Sequence, residues 1–226
     1  MIHDAGNKRN LTATLIGATG LIGGHLLDLL IADEHFNKVK VLVRRPIEVL
    51  HPKLEVAIVD FADFAVLKST IEGSDVVFCA VGTTQKKVKG DLEAYRKVDF
   101  DIPVHAAQCC TEVGCPQFLL VSAIGASSAS GNFYLKLKGQ VEDAIKAIGL
   151  PSVTVFRPSM LLGRRQETRL GEQIGQVLMK PLSFLIPSPY KAIEAKAVAR
   201  AMLTTAKQAP PGFHYQDYKE MMARQY

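Results

Sequence analysis

Tyr134 and Lys138 are the two residues whose types and spacing say most about possible chemistry. They lie four residues apart in a stretch with helical periodicity, so both side chains fall on one face of a helix. A nearby ammonium lowers the pKa of a phenol because it stabilises the phenolate. Such a tyrosine can pass a proton to or from a carbonyl or alcohol while a nicotinamide moves a hydride. The alternative is a packed tyrosine with a lysine snorkelling beside it.

A serine close to this pair could hydrogen-bond the same substrate oxygen. Ser122 ends the strand that precedes the helix, and it is the first candidate. Ser127 and Ser128 lie in the Ser/Gly-rich loop that follows, and they are alternatives within reach. The sequence therefore predicts Tyr134, Lys138 and Ser122 as the catalytic group.

A glycine turn near the start of the chain predicts where a nucleotide binds. Gly17, Gly20 and Gly23 stand between an apolar run, 11–16, and a helical pattern. The first N–H groups of a helix lack intrahelical partners, and the helix dipole favours an anion there. Gly17 permits the tight turn, Gly20 lets a pyrophosphate approach, and Gly23 lets the helix pack against the strand. The alternative is a plain turn. Predicted cofactor contacts here also include Thr19, Leu21 and Ile22.

The end of the second strand predicts which dinucleotide is preferred. Arg44 and Arg45 follow the strand at 38–43, and no acid stands there. An acid at this position accepts from both ribose hydroxyls and selects NAD, whereas arginine pairs with a 2′-phosphate and selects NADP. Solvated surface arginines are the alternative. We expect NADP(H).

Residues that follow the remaining strands complete the predicted cofactor site. Asp60 has two interpretations of equal weight: it accepts a hydrogen bond from the adenine amino group, or it caps the helix at 64–71. Small residues after the fourth strand let the ribose and pyrophosphate pass close by. The predicted contacts in these segments are Asp60, Phe61, Ala80, Val81 and Gly82.

Strands and helices alternate through residue 156, which indicates an α/β fold with a doubly wound parallel sheet. The predicted strands are 11–16, 38–43, 54–59, 75–80, 117–121 and 152–156. The predicted helices after the first are 64–71, 92–113, 133–148, 171–179, 194–207 and 215–224. Pro103 falls inside the long helix and can kink it. Residues 1–226 are expected to form one domain, with 163–226 as a small C-terminal cap.

Composition bounds the remaining function classes. The chain has 226 residues, 48% of them hydrophobic, and no apolar run reaches the roughly 18 residues of a membrane span. The net charge of +5 comes from scattered basic residues without interleaved aromatic residues, which argues against nucleic acid. The four cysteines lack zinc-ligand spacing, so no metal site is expected. Reduced thiols and the absence of a signal-peptide pattern favour a cytoplasmic protein.

The chain resembles the short-chain dehydrogenase/reductase superfamily, of the extended or atypical kind, and within it the TIP30-like NAD(P)-binding group. Four stretches between about residues 12 and 163 carry the resemblance: 17–23, 121–126, 134–139 and 156–159. It implies a Rossmann fold, NADP at the glycine turn and at Arg44 and Arg45, and Tyr134 and Lys138 in the catalytic positions. It also implies that the segment from Pro158 to Met160 lies along the nicotinamide, and Lys138 is expected to contact the cofactor as well.

Two departures from the classical pattern bear on activity. Cys79 to Gly82 replaces an Asn-Asn-Ala-Gly stretch, and Asp99 stands where an asparagine is frequent. We expect an NADPH-dependent oxidoreductase acting on a small carbonyl compound, as a monomer or homodimer. The alternative is a redox sensor or scaffold that binds NADP without turnover.

Overall fold

The computed structural model describes residues 10–84, 88–162 and 190–225. The predicted helix at 171–179 lies outside the described residues, and so does the start of the predicted cap. The division of the chain at residue 163 therefore stays a prediction.

The described residues form nine strands and seven α-helices. The strands are β1 (Leu11–Ile16), β2 (Phe36–Val43), β3 (Leu54–Ile58), β4 (Val76–Cys79), β5 (Gln117–Val121), β6 (Ser152–Phe156), β7 (Leu161–Leu162), β8 (Ile193–Glu194) and β9 (Gly212–Gln216). The helices are α1 (Leu21–Ala32), α2 (Phe64–Ile71), α3 (Leu92–Arg96), α4 (Ile102–Val113), α5 (Phe133–Ile148), α6 (Ala195–Gln208) and α7 (Tyr218–Ala223).

Seven of the strands form one parallel sheet in the order β3-β2-β1-β4-β5-β6-β9. The predicted α/β fold with a doubly wound parallel sheet is confirmed. β1, β5 and β6 have the predicted bounds, and β2, β3 and β4 differ from theirs by two residues or fewer. The short strands β7 and β8 pair with each other in a separate sheet.

Helices cover both faces of the sheet, which is why β4, β5 and β6 are buried throughout. α1, α6 and α7 contribute to the core on one face, around Leu15, Leu26 and Val198. α2, α4 and α5 contribute to the core on the other face, around Phe118 and Ile145. These two apolar layers hold the strand ends at fixed positions along one edge.

The long helix predicted at 92–113 is interrupted. A π-helical segment, Lys97–Asp101, separates α3 from α4, and Pro103 lies in the first turn of α4. Proline has no N–H to donate, and its ring clashes with the carbonyl four residues earlier, here that of Asp99. The wider π turn accommodates both effects. The kink expected at Pro103 is thus realised as a π segment just before it.

The chain returns to the sheet near its C-terminal end. The helix predicted at 215–224 is wrong at its start, because Tyr215 and Gln216 belong to β9. β9 pairs with β6, and Gln216 donates to the Thr205 hydroxyl of α6 at 2.9 Å. Cross-strand pairing, which the local sequence does not reveal, decides the conformation here.

Candidate functional site

The candidate site lies at the carboxyl edge of the sheet, where β1 stands between β2 and β4. The chain leaves β1 toward β2, and β4 continues the sheet on the other side of β1. Open α/β sheets bind ligands in the crevice at such a switch point. The predicted site residues follow the carboxyl ends of β1 to β6 or lie on α5, so the fold brings them to this edge.

The glycine turn is built as the sequence predicts. Gly17 has φ +96°, and a Cβ there would lie 2.7 Å from the Ala80 carbonyl carbon and oxygen. A Cβ on Gly23 would lie 2.0 Å from the Gly17 carbonyl oxygen, so α1 packs against the turn itself. Gly20 is the N-cap of α1 and leaves its first N–H groups without a side-chain cap. This cradle of small residues and free donors fits a pyrophosphate.

Other residues of the turn differ in what they expose. Thr19 and Gly20 are exposed at the turn, whereas Leu21 is half-buried and Ile22 is buried. Any contact of Ile22 with a cofactor would therefore use its main chain.

Arg44 and Arg45 are exposed just past β2, whose Leu42 pairs with Ile16 at the end of β1. Among the described residues, neither arginine makes an ion pair with an acid. The backbone of both arginines thus follows the strand that lies beside β1 in the sheet.

Asp60 and Phe61 follow β3. Asp60 Oδ1 accepts from the Ala62 N–H at 2.9 Å, and α2 is capped instead by Asp63, which accepts from Val66 N–H at 3.1 Å. The capping interpretation of Asp60 is therefore wrong, because the residue three positions later fills that role. Phe61 is buried in the core, which leaves its main chain for any cofactor contact.

The segment after β4 is hydrogen-bonded to residues of α3 and of the π-helical segment. Ala80 and Val81 are half-buried and Gly82 is exposed. The next residue, Thr83, donates its N–H to Asp99 Oδ2 at 2.7 Å, and its carbonyl accepts from the Tyr95 hydroxyl at 3.2 Å.

Tyr134 and Lys138 lie one turn apart at the start of α5. Asn132 caps this helix by accepting from Leu135 N–H at 3.1 Å. Tyr134 is 38% exposed at the edge, whereas Lys138 is 4% exposed and its Nζ lies 3.0 Å from Asp99 Oδ1. Burial alone would lower the pKa of Lys138, but the Asp99 carboxylate, with smaller effects from Tyr134 and Cys79, outweighs it and raises the pKa.

Ser122 is buried and donates its hydroxyl to Glu142 Oε1 at 2.5 Å. Glu142 also pairs with Arg157, whose Nε donates to Oε1 at 3.1 Å. The Arg157 guanidinium stacks 3.8 Å above the Tyr215 ring. Glu142 lies about two turns beyond Tyr134 on α5, and the Ser122 hydroxyl is engaged with it.

The other two candidate serines lie in the loop that crosses α5. Ser127 and Ser128 are exposed, and Ser127 Oγ accepts from Ala129 N–H at 3.3 Å. A Cβ on Gly139 would lie 2.2 Å from the Ser128 nitrogen. Gly139 is therefore required next to Lys138 because the loop backbone lies directly on the helix there.

The segment along the predicted nicotinamide position is tied to its neighbours by main-chain bonds. The Pro158 carbonyl accepts from Ile124 N–H at 3.0 Å, and the Met160 carbonyl accepts from Ile193 N–H at 3.0 Å. Met160 exposes 38% of its surface, so its side chain is available at the edge.

Asp99 is the residue whose role the sequence does not reveal. The sequence marks it only as a departure from asparagine, yet it contacts both Thr83 and Lys138. Its position three residues after Arg96 in a predicted helix gives no signal of these contacts, because both depend on tertiary packing.

Comparison with protein families decides the classification. Residues 17–209 match the model of a family described as NAD(P)H-binding. The chain belongs to this NAD(P)H-binding family. It has the short-chain dehydrogenase/reductase-like fold, and the expected resemblance to the TIP30-like group is confirmed.

Two curated relatives are similar to this chain in sequence, and one solved structure is similar to it in fold. Protein HTATIP2 of Rattus norvegicus is 33% identical over 198 residues, which cover 86% of this chain and 81% of the relative. The mitochondrial protein FMP52 of Debaryomyces hansenii is 35% identical over 160 residues, 70% of each chain. The Bordetella bronchiseptica enzyme WbmH in complex with NAD⁺ superposes with a TM-score of 0.70 at 17% identity, covering 92% of this chain and 75% of that one.

The cytoplasmic expectation is wrong as a conclusion from this sequence. Several members of the family, including the FMP52 proteins of Debaryomyces hansenii and Candida albicans, are named as mitochondrial. All four cysteines are free and buried, as predicted for reduced thiols, but reduced thiols do not distinguish one compartment from the other. In the described part of the chain, no helix combines the length and apolar character needed to cross a bilayer.

Proposed function

We propose that this protein is an NADPH-dependent oxidoreductase that reduces a small carbonyl compound to the alcohol. The observation that carries the proposal is the buried ammonium of Lys138, one helical turn from the exposed Tyr134. Burying a charge is costly, and such groups cluster where they tune a reacting neighbour. An ion pair that only stabilised the fold would not need a half-exposed phenol beside it at the crevice.

The choice of cofactor follows from the glycine turn and the arginines after β2. Gly17, Gly20 and the uncapped start of α1 fit a pyrophosphate. Arg44 and Arg45 favour a 2′-phosphate on the adenosine ribose, since charge-assisted contacts to phosphate are strong. When bound, the reduced cofactor supplies a hydride.

Tyr134 and Lys138 would then handle the proton. The Tyr134 hydroxyl would donate its proton to the substrate oxygen, and a bound NADPH would supply the hydride that the carbonyl carbon needs to become an alcohol. The Lys138 ammonium stabilises the resulting phenolate. Tyr134 recovers a proton from water, which its exposure at the edge allows.

A second candidate function is an NADP-binding redox sensor without turnover. The hydrogen bond from Ser122 to Glu142 favours it, because it engages the serine that the sequence predicts to hold the substrate oxygen. The alternatives Ser127 and Ser128 lie in an exposed loop.

Steady-state NADPH consumption separates the two functions. The purified protein is assayed against a panel of small aldehydes and ketones, and cofactor binding is measured in parallel by calorimetry. The oxidoreductase predicts NADPH consumption matched by equal amounts of alcohol. Tight NADPH binding with no consumption across the panel would contradict it and support the sensor.

A further inference from the structure

Asp99 is a fully buried carboxylate between two donors that come from different parts of the fold. Oδ2 accepts from the Thr83 N–H at 2.7 Å, and Oδ1 lies 3.0 Å from Lys138 Nζ. Thr83 follows the predicted cofactor segment after β4, and Lys138 lies on α5 beside Tyr134. A single side chain therefore connects the two halves of the candidate site.

The two donors determine which residue type can stand at position 99. A main-chain N–H and an ammonium both require an acceptor, and a carboxylate offers two acceptor oxygens. An asparagine offers one oxygen and one NH₂ group, so it can accept from Thr83 only by turning its NH₂ group toward Lys138. The aspartate is thus matched to a lysine ammonium that lies 3.0 Å from its Oδ1.

The charged surroundings of Lys138 come from three elements. Asp99 lies on the π segment, Tyr134 on α5 and Cys79 on β4. Burial raises the pKa of the Cys79 thiol to about 12, so this group is neutral at ordinary pH. The carboxylate of Asp99 is therefore the compensating charge for the ammonium.

We propose that Asp99 is a positioning residue that holds Lys138 as an ammonium beside Tyr134 and fixes Thr83 at the cofactor edge. Its meaning for catalysis rests on the proposed function, whereas its effect on Lys138 does not. Without Asp99 the buried ammonium has no counter-charge and loses its proton at lower pH. Asp99 thereby extends the pH range over which the tyrosine has a charged neighbour.

The test is an NMR titration of the Lys138 side chain in protein labelled at the lysine ε-carbon, with the resonance assigned by Lys138→Arg. In the parent protein we expect Lys138 to lose its proton only above the ordinary lysine pKa, because the Asp99 carboxylate raises the pKa of this ammonium. In Asp99→Asn the midpoint should fall by at least about one pH unit, a tenfold loss of proton affinity. Asp99→Glu keeps the charge and should return the midpoint toward the parent value.

A matched control is Glu112→Gln, which breaks the exposed pair between Lys68 and Glu112 and should leave Lys138 unchanged. An unchanged midpoint in Asp99→Asn would overturn the proposal. If that variant does not fold, the titration of the parent protein alone is the test, since loss of the Lys138 proton below the ordinary lysine pKa would contradict the proposal.

Activity gives a second readout that a purely structural role would not reproduce. Once a substrate is known, Asp99→Asn should shift the alkaline limb of the pH–rate profile, because Lys138 then loses its charge beside Tyr134 at a different pH, whereas the control Glu112→Gln should leave the limb in place. An alkaline limb that does not move in Asp99→Asn would overturn the proposal. Absence of any turnover would instead contradict the oxidoreductase, and the lysine titration would then decide the role of Asp99 by itself.

Discussion

The two halves of the carboxyl edge are built in different ways. Around β1 and β2 the site consists of main-chain groups and missing side chains: Gly17 and Gly23 are glycines because a Cβ would clash with backbone. Around α5 the site consists of paired charges, the buried Lys138 with Asp99 and the buried Glu142 with the half-buried Arg157. We call the first half the glycine half, because the absence of side chains determines the space that it leaves for a ligand. We call the second half the charged half, because it consists of paired charges.

This difference predicts what substitutions do in each half. In the glycine half, a bulky side chain facing the crevice should block the cofactor and leave the fold largely intact. In the charged half, removing one partner leaves the other charge uncompensated, so stability and protonation change before any contact with ligand does.

Glu142→Ala should have the largest effect on stability. The variant removes the acceptor of Ser122 and the partner of Arg157 together. Breaking a buried ion pair costs about 3–5 kcal/mol, and we expect about 3 kcal/mol because Arg157 can still reach water. Urea unfolding measures it.

The control for Glu142→Ala is Glu112→Ala, at an exposed pair, which should hardly change stability. Equal losses in the two variants would remove the distinction between buried and exposed pairs on which the charged half rests.

Gly20→Val should act mainly on binding. Its Cβ would lie 3.2 Å from the Gly17 carbonyl oxygen, a tight contact that a small shift relieves. If the pyrophosphate binds at the glycine turn as proposed, the rest of the side chain would take up space that it needs. Loss of phosphate contacts worth about 1.5–3 kcal/mol predicts tenfold to hundredfold weaker NADP binding by calorimetry. Stability should stay within about 1 kcal/mol of the parent.

Gly23→Ala is the matched contrast, since its Cβ would lie 2.0 Å from backbone and should destabilise the fold. A Gly20→Val protein that folds and binds NADP as tightly as the parent would place the nucleotide site elsewhere.

Of these substitutions, Arg44→Ala should have the smallest effect, and that effect should be on the preference for NADP over NAD. One charge-assisted phosphate contact corresponds to about a tenfold preference for NADP over NAD. Calorimetric titration of both cofactors into parent and variant should show the preference falling by about that factor while NAD affinity stays constant. Equal affinity of the parent for the two cofactors would refute the assignment.

The difference between the glycine half and the charged half also explains which features the sequence could predict. The strand–glycine–helix order around Gly17 is a local pattern, so the fold, the turn and the bounds of α5 follow from residues that are neighbours in the chain. The Asp99–Lys138 and Ser122–Glu142 contacts join residues 39 and 20 positions apart. β9 could not be predicted from the local sequence for a similar reason, because it forms by pairing with β6, which is distant in the chain.

The most direct test of the proposed function is Tyr134→Phe. This variant removes only a hydroxyl from a half-exposed side chain, so folding and NADPH binding should stay close to the parent. If Tyr134 donates the proton, NADPH consumption with a carbonyl substrate should fall by about 10²–10⁴-fold at unchanged cofactor affinity. Turnover at the parent rate in the folded variant would contradict the account and leave Tyr134 as a packing residue beside a buried lysine.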